Sequence, residues 1–205
     1  ANIIYPFSTL GAKPQDLKYR NEPTRLTIGD RNTIRECVTM NLGTTQGGGV
    51  TSVGSDNLIM AYTHFGHDCH VGSHCVLANN AGLAGHVVVE DYATLAGLVG
   101  VSQFVRVGAH CYITGQSGLE KDVPPFTIAV GSRPCHIRGA NIVGLRRRGF
   151  SAETIQVINE AIKLWTRPDV QREQSLIEIE SQYGEHPEIQ QFVQFIRKSE
   201  GGVVR

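Results

Sequence analysis

A parallel β-helix followed by a small α-helical domain is the fold that this 205-residue sequence predicts. Three observations carry the prediction. From Val53 to Leu119 every sixth residue is apolar: Val53, Ile59, Phe65, Val71, Leu77, Leu83, Val89, Leu95, Val101, Val107, Ile113 and Leu119. Four positions after each beat the side chain is usually small, as at Cys69, Cys75, Ala81, Ala93 and Cys111, with Asn57 out of line. From about Ser151 the apolar spacing changes to that of an amphipathic helix. A period of six suits neither a helix nor a half-buried strand. It marks the hexapeptide repeat of a β-helix.

The coil comes first and is expected over residues 1–130. Its beat already runs through Ile4, Leu10, Ile28, Ile34 and Met40. Each hexad supplies a short strand and a corner, and three hexads close a triangular turn. Residues eighteen apart then stack about 4.8 Å apart. The recurring Gly54, Gly66, Gly72 and Gly108 read as corner residues that ease backbone conformations a Cβ would oppose. Two stretches break the beat: Ala12 to Thr27, and Asn41 to Ser52 with its Gly47-Gly48-Gly49 run. Both read as loops thrown out of the coil, where function tends to sit. The repeat ends at Pro124-Pro125, and residues 131–150 read as a connecting segment with a basic cluster, Arg146-Arg147-Arg148. The helical domain takes 151–205. Ser151 is its N-cap, Ile155, Ile158, Ile162 and Trp165 form an apolar stripe, and further helices are expected over 170–183 and 187–198.

Lys+Arg and Asp+Glu both total 19, so no net field calls for nucleic acid or an anionic membrane. No apolar run reaches membrane-spanning length and no signal peptide opens the chain, so a soluble, cytoplasmic protein is expected. Cys69, Cys75 and Cys111 fall on small interior positions and read as core fillers, not a disulfide framework.

The candidates for chemistry concentrate in His64-Phe65-Gly66-His67-Asp68-Cys69-His70. Polar residues are common at β-helix corners, so structural roles for these histidines stay open. His67 gains from Asp68, which can fix an imidazole tautomer and raise its basicity. The pair is expected on a solvent-facing edge, where loss of the imidazole leaves no cavity. Its column continues to Gly85 and Gln103, and that of Asp68 to His86 and Phe104. Zinc is the rival use of such histidines, as in β-helical carbonic anhydrases. His74 and His110 are two coils apart, but the short step from His110 lands on Gly115, and no metal is expected.

Several strings are more specific than the repeat: DLKY at 16–19, EPTR at 22–25, IGDRN at 28–32, QGGG at 46–49, HDC at 67–69, LANN at 77–80, LAGH at 83–86, DVPP at 122–125 and RRGFS at 147–151. With them the whole chain resembles the UDP-N-acetylglucosamine acyltransferases. The resemblance implies a left-handed parallel β-helix with a C-terminal helical domain, assembled as a homotrimer. It further implies transfer of an (R)-3-hydroxyacyl chain from acyl carrier protein to the 3-hydroxyl of UDP-N-acetylglucosamine, opening lipid A synthesis, with no resident cofactor. His67 would be the general base, Asp68 its orienter and the Gly85 N–H the oxyanion donor. His64, His86 and Gln103 match substrate-holding positions, Lys18 and Arg147 phosphate contacts, Asn141 a nucleotide contact, and Gly115 a position that measures the acyl chain. Simpler roles are solvated charges for Lys18 and Arg147, corner glycines for Gly85 and Gly115, and a polar ladder residue for Gln103. The sequence departs from the family pattern at Asn41 and Ser102, where histidines are usual, and at Val143, where an acid is usual. Family members also carry coils upstream of the position of Ala1, so the start reads as truncated. The competing readings are a coenzyme A-dependent hexapeptide acetyltransferase, a related N-acyltransferase of the same pathway and a non-enzymatic scaffold.

Overall fold

The structure, a computed structural model, describes residues 1–205. Three parallel sheets form the faces of a triangular prism. Face A stacks the strands at 3–4, 33–34, 58–59, 76–77, 94–95 and 112–113. Face B stacks 9–12, 39–41, 64–65, 82–83, 100–101 and 118–119, and face C stacks 25–28, 50–53, 70–71, 88–89 and 106–107. The register is the eighteen-residue column read from the sequence: Leu77 pairs with Ile59 and Leu95, and Leu95 with Ile113. The beat residues fill the interior, Ile59, Phe65, Leu77, Leu83, Leu95 and Ile113 being wholly buried.

The corners correct the reading of the glycines. One residue per hexad, from Asp56 through Tyr62, Asp68, His74 and onward to Gln116, lies in the left-handed region with φ between 59° and 66°, and none of these is glycine. Such a conformation costs roughly 1 kcal/mol or more per residue. It persists because the column over-determines it, each corner being bonded into the coil below, as His86 N–H is to His67 O. The recurring glycines have another cause. A Cβ on Gly66 would fall 2.8 Å from Gly85 N, and one on Gly108 would fall 2.5 Å from Pro125 N, so these glycines permit one coil to lie on the next.

The connecting segment 131–150 holds regular structure. Thr127–Val130 extends face A and pairs antiparallel with His136–Ala140, after which helix α1 (Ile142–Arg147) lies beside Thr94, Tyr112 and Ile128 of face A. A hairpin and a six-residue helix are too short for periodicity to reveal. The expected helices follow as α2 (Ala152–Trp165), α3 (Arg172–Tyr183) and α4 (Pro187–Arg197), and Ser151 caps α2 by accepting from the Thr154 N–H at 3.0 Å. The tail returns to the coil: Val203 bridges to Asp122, and the Trp165 indole N–H donates to Val204 O. Cys69, Cys75 and Cys111 are free and buried, their thiols pushed up to about 12 by burial, as inert core fillers should be. No helix is long and apolar enough to cross a membrane.

Candidate active site

His67 and Asp68 stand on the edge where face B turns into face C. The left-handed conformation of Asp68 folds its carboxylate back beside the imidazole, with Oδ2 2.8 Å from His67 Nδ1. Asp68 accepts there, so Nδ1 carries the ring proton and Nε2 keeps its lone pair. The expected solvent-facing edge is corrected. His67 is 8% exposed and Asp68 1%: Gly85 and His86 pack against the imidazole, and the 42–50 insertion folds over the carboxylate. Thr44 supplies the cover, its N–H donating to Asp68 Oδ1 at 2.7 Å and its hydroxyl to Oδ2 at 2.6 Å.

Gly85 lies against His67, one coil on. A Cβ there would fall 2.6 Å from His67 Cε1, so glycine is required for the ring to sit where it does. The Gly85 N–H makes no hydrogen bond, as at the same corner position of other coils; what singles it out is its place beside the imidazole. His86 sits edge-on to His67, with centroids 4.9 Å apart, and stacks on Phe104 at 4.5 Å. Its Nε2 is 3.8 Å from Asp68 Oδ2, and burial holds its pKa below the usual histidine value. His64 is also held low by burial, its Nδ1 2.7 Å from Thr39 Oγ1.

His64, His67, Gly85 and Gln103 line one groove of about 740 Å³ along face B. Its floor holds two features to which the sequence alone assigns no role in the site. Gly82 and Gly100 follow His64 at eighteen-residue steps, with open space where their side chains would stand, so the groove is a trough over bare backbone. Asn41 also lines it, and its Oδ1 is buried without a partner, an acceptor that a bound donor would satisfy. The glycine column was visible in the sequence at the coil period. Thr44 and Asn41 were not, because the insertion breaks the register that would place them.

The other expected residues lie elsewhere. Asn141 and Arg147 line a separate cleft of about 450 Å³ on face A, beside Tyr112 and Ile128. The Asn141 amide is committed at both ends, Oδ1 accepting from the Gly144 N–H and Nδ2 donating to His110 O. Lys18 is exposed in the 13–24 loop, of which only Gln15 reaches the groove. Gly115 occupies the edge between faces A and B, across face B from His67. Within one chain, therefore, His67 is joined by His64, His86, Gln103 and Gly85, and not by Asn141, Arg147 or Gly115.

Ligand atoms of His67, Asp68 and His86 lie within 4.8 Å of one another, although the Asp68 oxygens already accept from Thr44 and His67. His74 and His110 cannot share an ion, because the Tyr92 ring is stacked between them at 4.6 and 4.8 Å.

Residues 122–204 match the sequence profile described as UDP-N-acetylglucosamine O-acyltransferase, domain 2, and residues 51–85 match that of the bacterial transferase hexapeptide repeats. Among solved structures, the UDP-N-acetylglucosamine acyltransferase of Francisella novicida is 40% identical with a TM-score of 0.96, covering 100% of this chain and 75% of its own. That of Bacteroides fragilis is 41% identical with a TM-score of 0.96, covering 100% and 79%. The Arabidopsis enzyme is 33% identical with a TM-score of 0.90, covering 100% and 74%. The coil is the left-handed parallel β-helix of these enzymes, an exception to the right-handed rule for parallel crossovers. Sequence identity at this level across the whole chain, together with the matched domain after the coil, places the protein in the UDP-N-acetylglucosamine O-acyltransferase family.

Proposed function

We propose that this acyltransferase moves an (R)-3-hydroxyacyl group from acyl carrier protein to the 3-hydroxyl of UDP-N-acetylglucosamine, the opening step of lipid A synthesis, in the cytoplasm. The observation that carries the reading is the His67–Asp68 pair with the unpaired Gly85 N–H beside it, at the wall of a long trough. His67 Nε2 takes the proton of the sugar hydroxyl as its oxygen attacks the thioester carbonyl. The Gly85 N–H receives the resulting oxyanion. As the intermediate collapses, the C–S bond breaks and His67 returns the proton to the departing thiolate of the carrier's phosphopantetheine. General base assistance of this kind is worth roughly 10² to 10⁴ in rate, and an oxyanion donor roughly 10² to 10³. The phosphopantetheine arrives with the donor, so the enzyme needs no resident cofactor and no metal.

His64, His86, Gln103 and Asn41 hold the sugar and thioester in this reading. Lys18 and Arg147 contact the phosphates, and Asn141 fixes the nucleotide through the helix end it caps. Asn141 and Arg147 lie in a different cleft of one chain from His64, Gln103 and Asn41, so the site forms between copies, the base edge of one facing face A of the next. A homotrimer supplies that arrangement, and the exposed Tyr62, Leu98, Phe104 and Tyr112 give it apolar surface to bury. Arg148 is half-buried over the Tyr92 ring, leaving Arg146 and Arg147 as the exposed cations of the basic cluster that would meet the acidic carrier protein.

The acyl chain runs between copies toward Gly115, about two and two-thirds coils beyond His67, or roughly 13 Å at about 4.8 Å per coil. An extended chain advances roughly 1.25 Å per carbon, so Gly115 stands near the tenth. Glycine leaves the way open to a longer donor. A larger side chain at Gly115, where a Cβ falls 3.2 Å from Gly97 O, would shorten the accepted chain.

The purified protein offered UDP-N-acetylglucosamine with either hydroxyacyl carrier protein or acetyl-coenzyme A tests the proposal. Consumption of the first donor, with a singly O-acylated UDP-sugar by mass spectrometry, is expected. Acetyl transfer instead would favour the coenzyme A-dependent reading.

A further inference from the structure

The 42–50 insertion does more than cover the base edge. Its 3₁₀ turn (Thr45–Gly47) is capped by Thr44, whose Oγ1 accepts from the Gly47 N–H at 3.2 Å while its own proton goes to Asp68 Oδ2 at 2.6 Å. The Thr44 N–H reaches the other carboxylate oxygen at 2.7 Å, so one residue grips both. From the coil side, Asp68 N–H donates to the buried Thr51 Oγ1 at 2.8 Å, fixing the backbone that carries the carboxylate. The turn packs so closely that a Cβ on Gly47 would fall 2.0 Å from Asp68 Cγ. The oxygen held by the Thr44 hydroxyl is the one that accepts from His67 Nδ1. A relay therefore runs Gly47 N–H to Thr44 O–H to Asp68 to His67, which lines the groove.

We propose that Thr44 is a positioning residue of the acyl transfer: it locks the Asp68 carboxylate in the orientation that keeps the His67 proton on Nδ1 and its lone pair on Nε2, and Gly47 is the glycine that lets the lock close. The inference rests on the reading of His67 as base, but its first test does not. Without the hydroxyl, the carboxylate keeps only the Thr44 N–H and can turn away from Nδ1, which lets the ring proton redistribute to Nε2.

The variants are Thr44→Val, which keeps the shape and the N–H, Thr44→Ser, which keeps the hydroxyl, and Gly47→Ala, which pushes on the carboxylate. Nitrogen-15 spectra of histidine-labelled protein read the tautomer whether or not His67 is catalytic. A single Nδ1–H form in the native protein and in Thr44→Ser, with a mixture of tautomers in Thr44→Val, is expected. An unchanged Nδ1–H form in folded Thr44→Val overturns the lock. In kinetics, Thr44→Val should lower kcat roughly ten- to a hundredfold, the worth of one hydrogen bond to a charged group, with the UDP-sugar KM unchanged and with recovery in Thr44→Ser. A changed tautomer with unchanged kcat would overturn the positioning role and the assignment of His67 as base together. If Thr44→Val does not fold, Gly47→Ala is read in the same way, and native tautomer and kcat in that variant count against the proposal.

Discussion

Two edges of the same prism carry histidines at adjacent positions of the repeat, and they have opposite characters. On the edge between faces C and A, His74, Tyr92 and His110 stack ring on ring, with Phe126 at the top of the ladder. On the edge between faces B and C, His67 meets a carboxylate at 2.8 Å and an edge-on histidine. The ladder offers His110 no such carboxylate. Its Nδ1 is buried without a partner, and burial together with the nearby Arg148 guanidinium pulls its pKa down to about 4. A neutral, sandwiched ring of that kind stabilises the coil and makes a poor base near neutrality. The difference teaches that a histidine in a repeat acquires chemistry from what the repeat does not supply. Here that is Asp68 in the corner position and an insertion that closes over it.

The comparison breaks if the two histidines respond alike to replacement. His67→Ala should lower kcat by roughly 10² to 10⁴ in steady-state assays. Because the ring is buried, a drop in Tm is also expected, which exposure on a free edge would have spared. Gly85→Ala should follow with a loss of roughly 10² to 10³, since its Cβ displaces the imidazole and crowds the oxyanion position. Asp68→Asn should cost less in kcat, roughly ten- to a hundredfold, because the base remains. It should also lower stability by about 1–3 kcal/mol, since an amide cannot accept from Thr44 and His67 at both of its ends.

Most of the coil was legible in the sequence because its physics is repetitive. The same side chain meets the same interior every sixth residue, and the eighteen-residue column puts His67, Gly85, His86 and Gln103 together before any coordinates exist. Legibility failed where the repeat did. Thr44 and Asn41 sit at an insertion whose register no period fixes, and the hairpin at 127–140 and the six-residue α1 are too short to show a period of their own. The glycines were misread for a related reason. Their spacing suggested left-handed corners, but that conformation falls on Asp68, His86 and their equivalents, and the glycines answer to the coil stacked above them.

The smallest expected effect sharpens the comparison from the ladder side. His110→Phe keeps the stack and should leave kcat within about twofold, a surface-like outcome for chemistry at a structural ring. The folded pKa of His110 lies below its unfolded value near 6.5, so the unfolded chain binds the extra proton first. Its contribution to stability is therefore present above about pH 6.5 and is lost as pH falls toward about 4. Thermal unfolding of His110→Phe across that window should show a flatter fall in Tm than the native protein. An identical pH dependence would mean that the ring is not held neutral by the fold.

In the proposed reaction one substrate needs both His67, on one edge, and Asn141 and Arg147, on face A beside the ladder, so these residues must meet between copies of the chain. Mixing subunits tests this most directly. His67→Ala and Arg147→Ala chains, each impaired alone at UDP-sugar concentrations far below KM, are co-expressed and the mixed oligomers assayed. Random assembly should restore acyl transfer to about one quarter of the native rate, because some sites then pair an intact base edge with an intact face A. Activity in the mixture no greater than the average of the two parents would contradict a site shared between subunits.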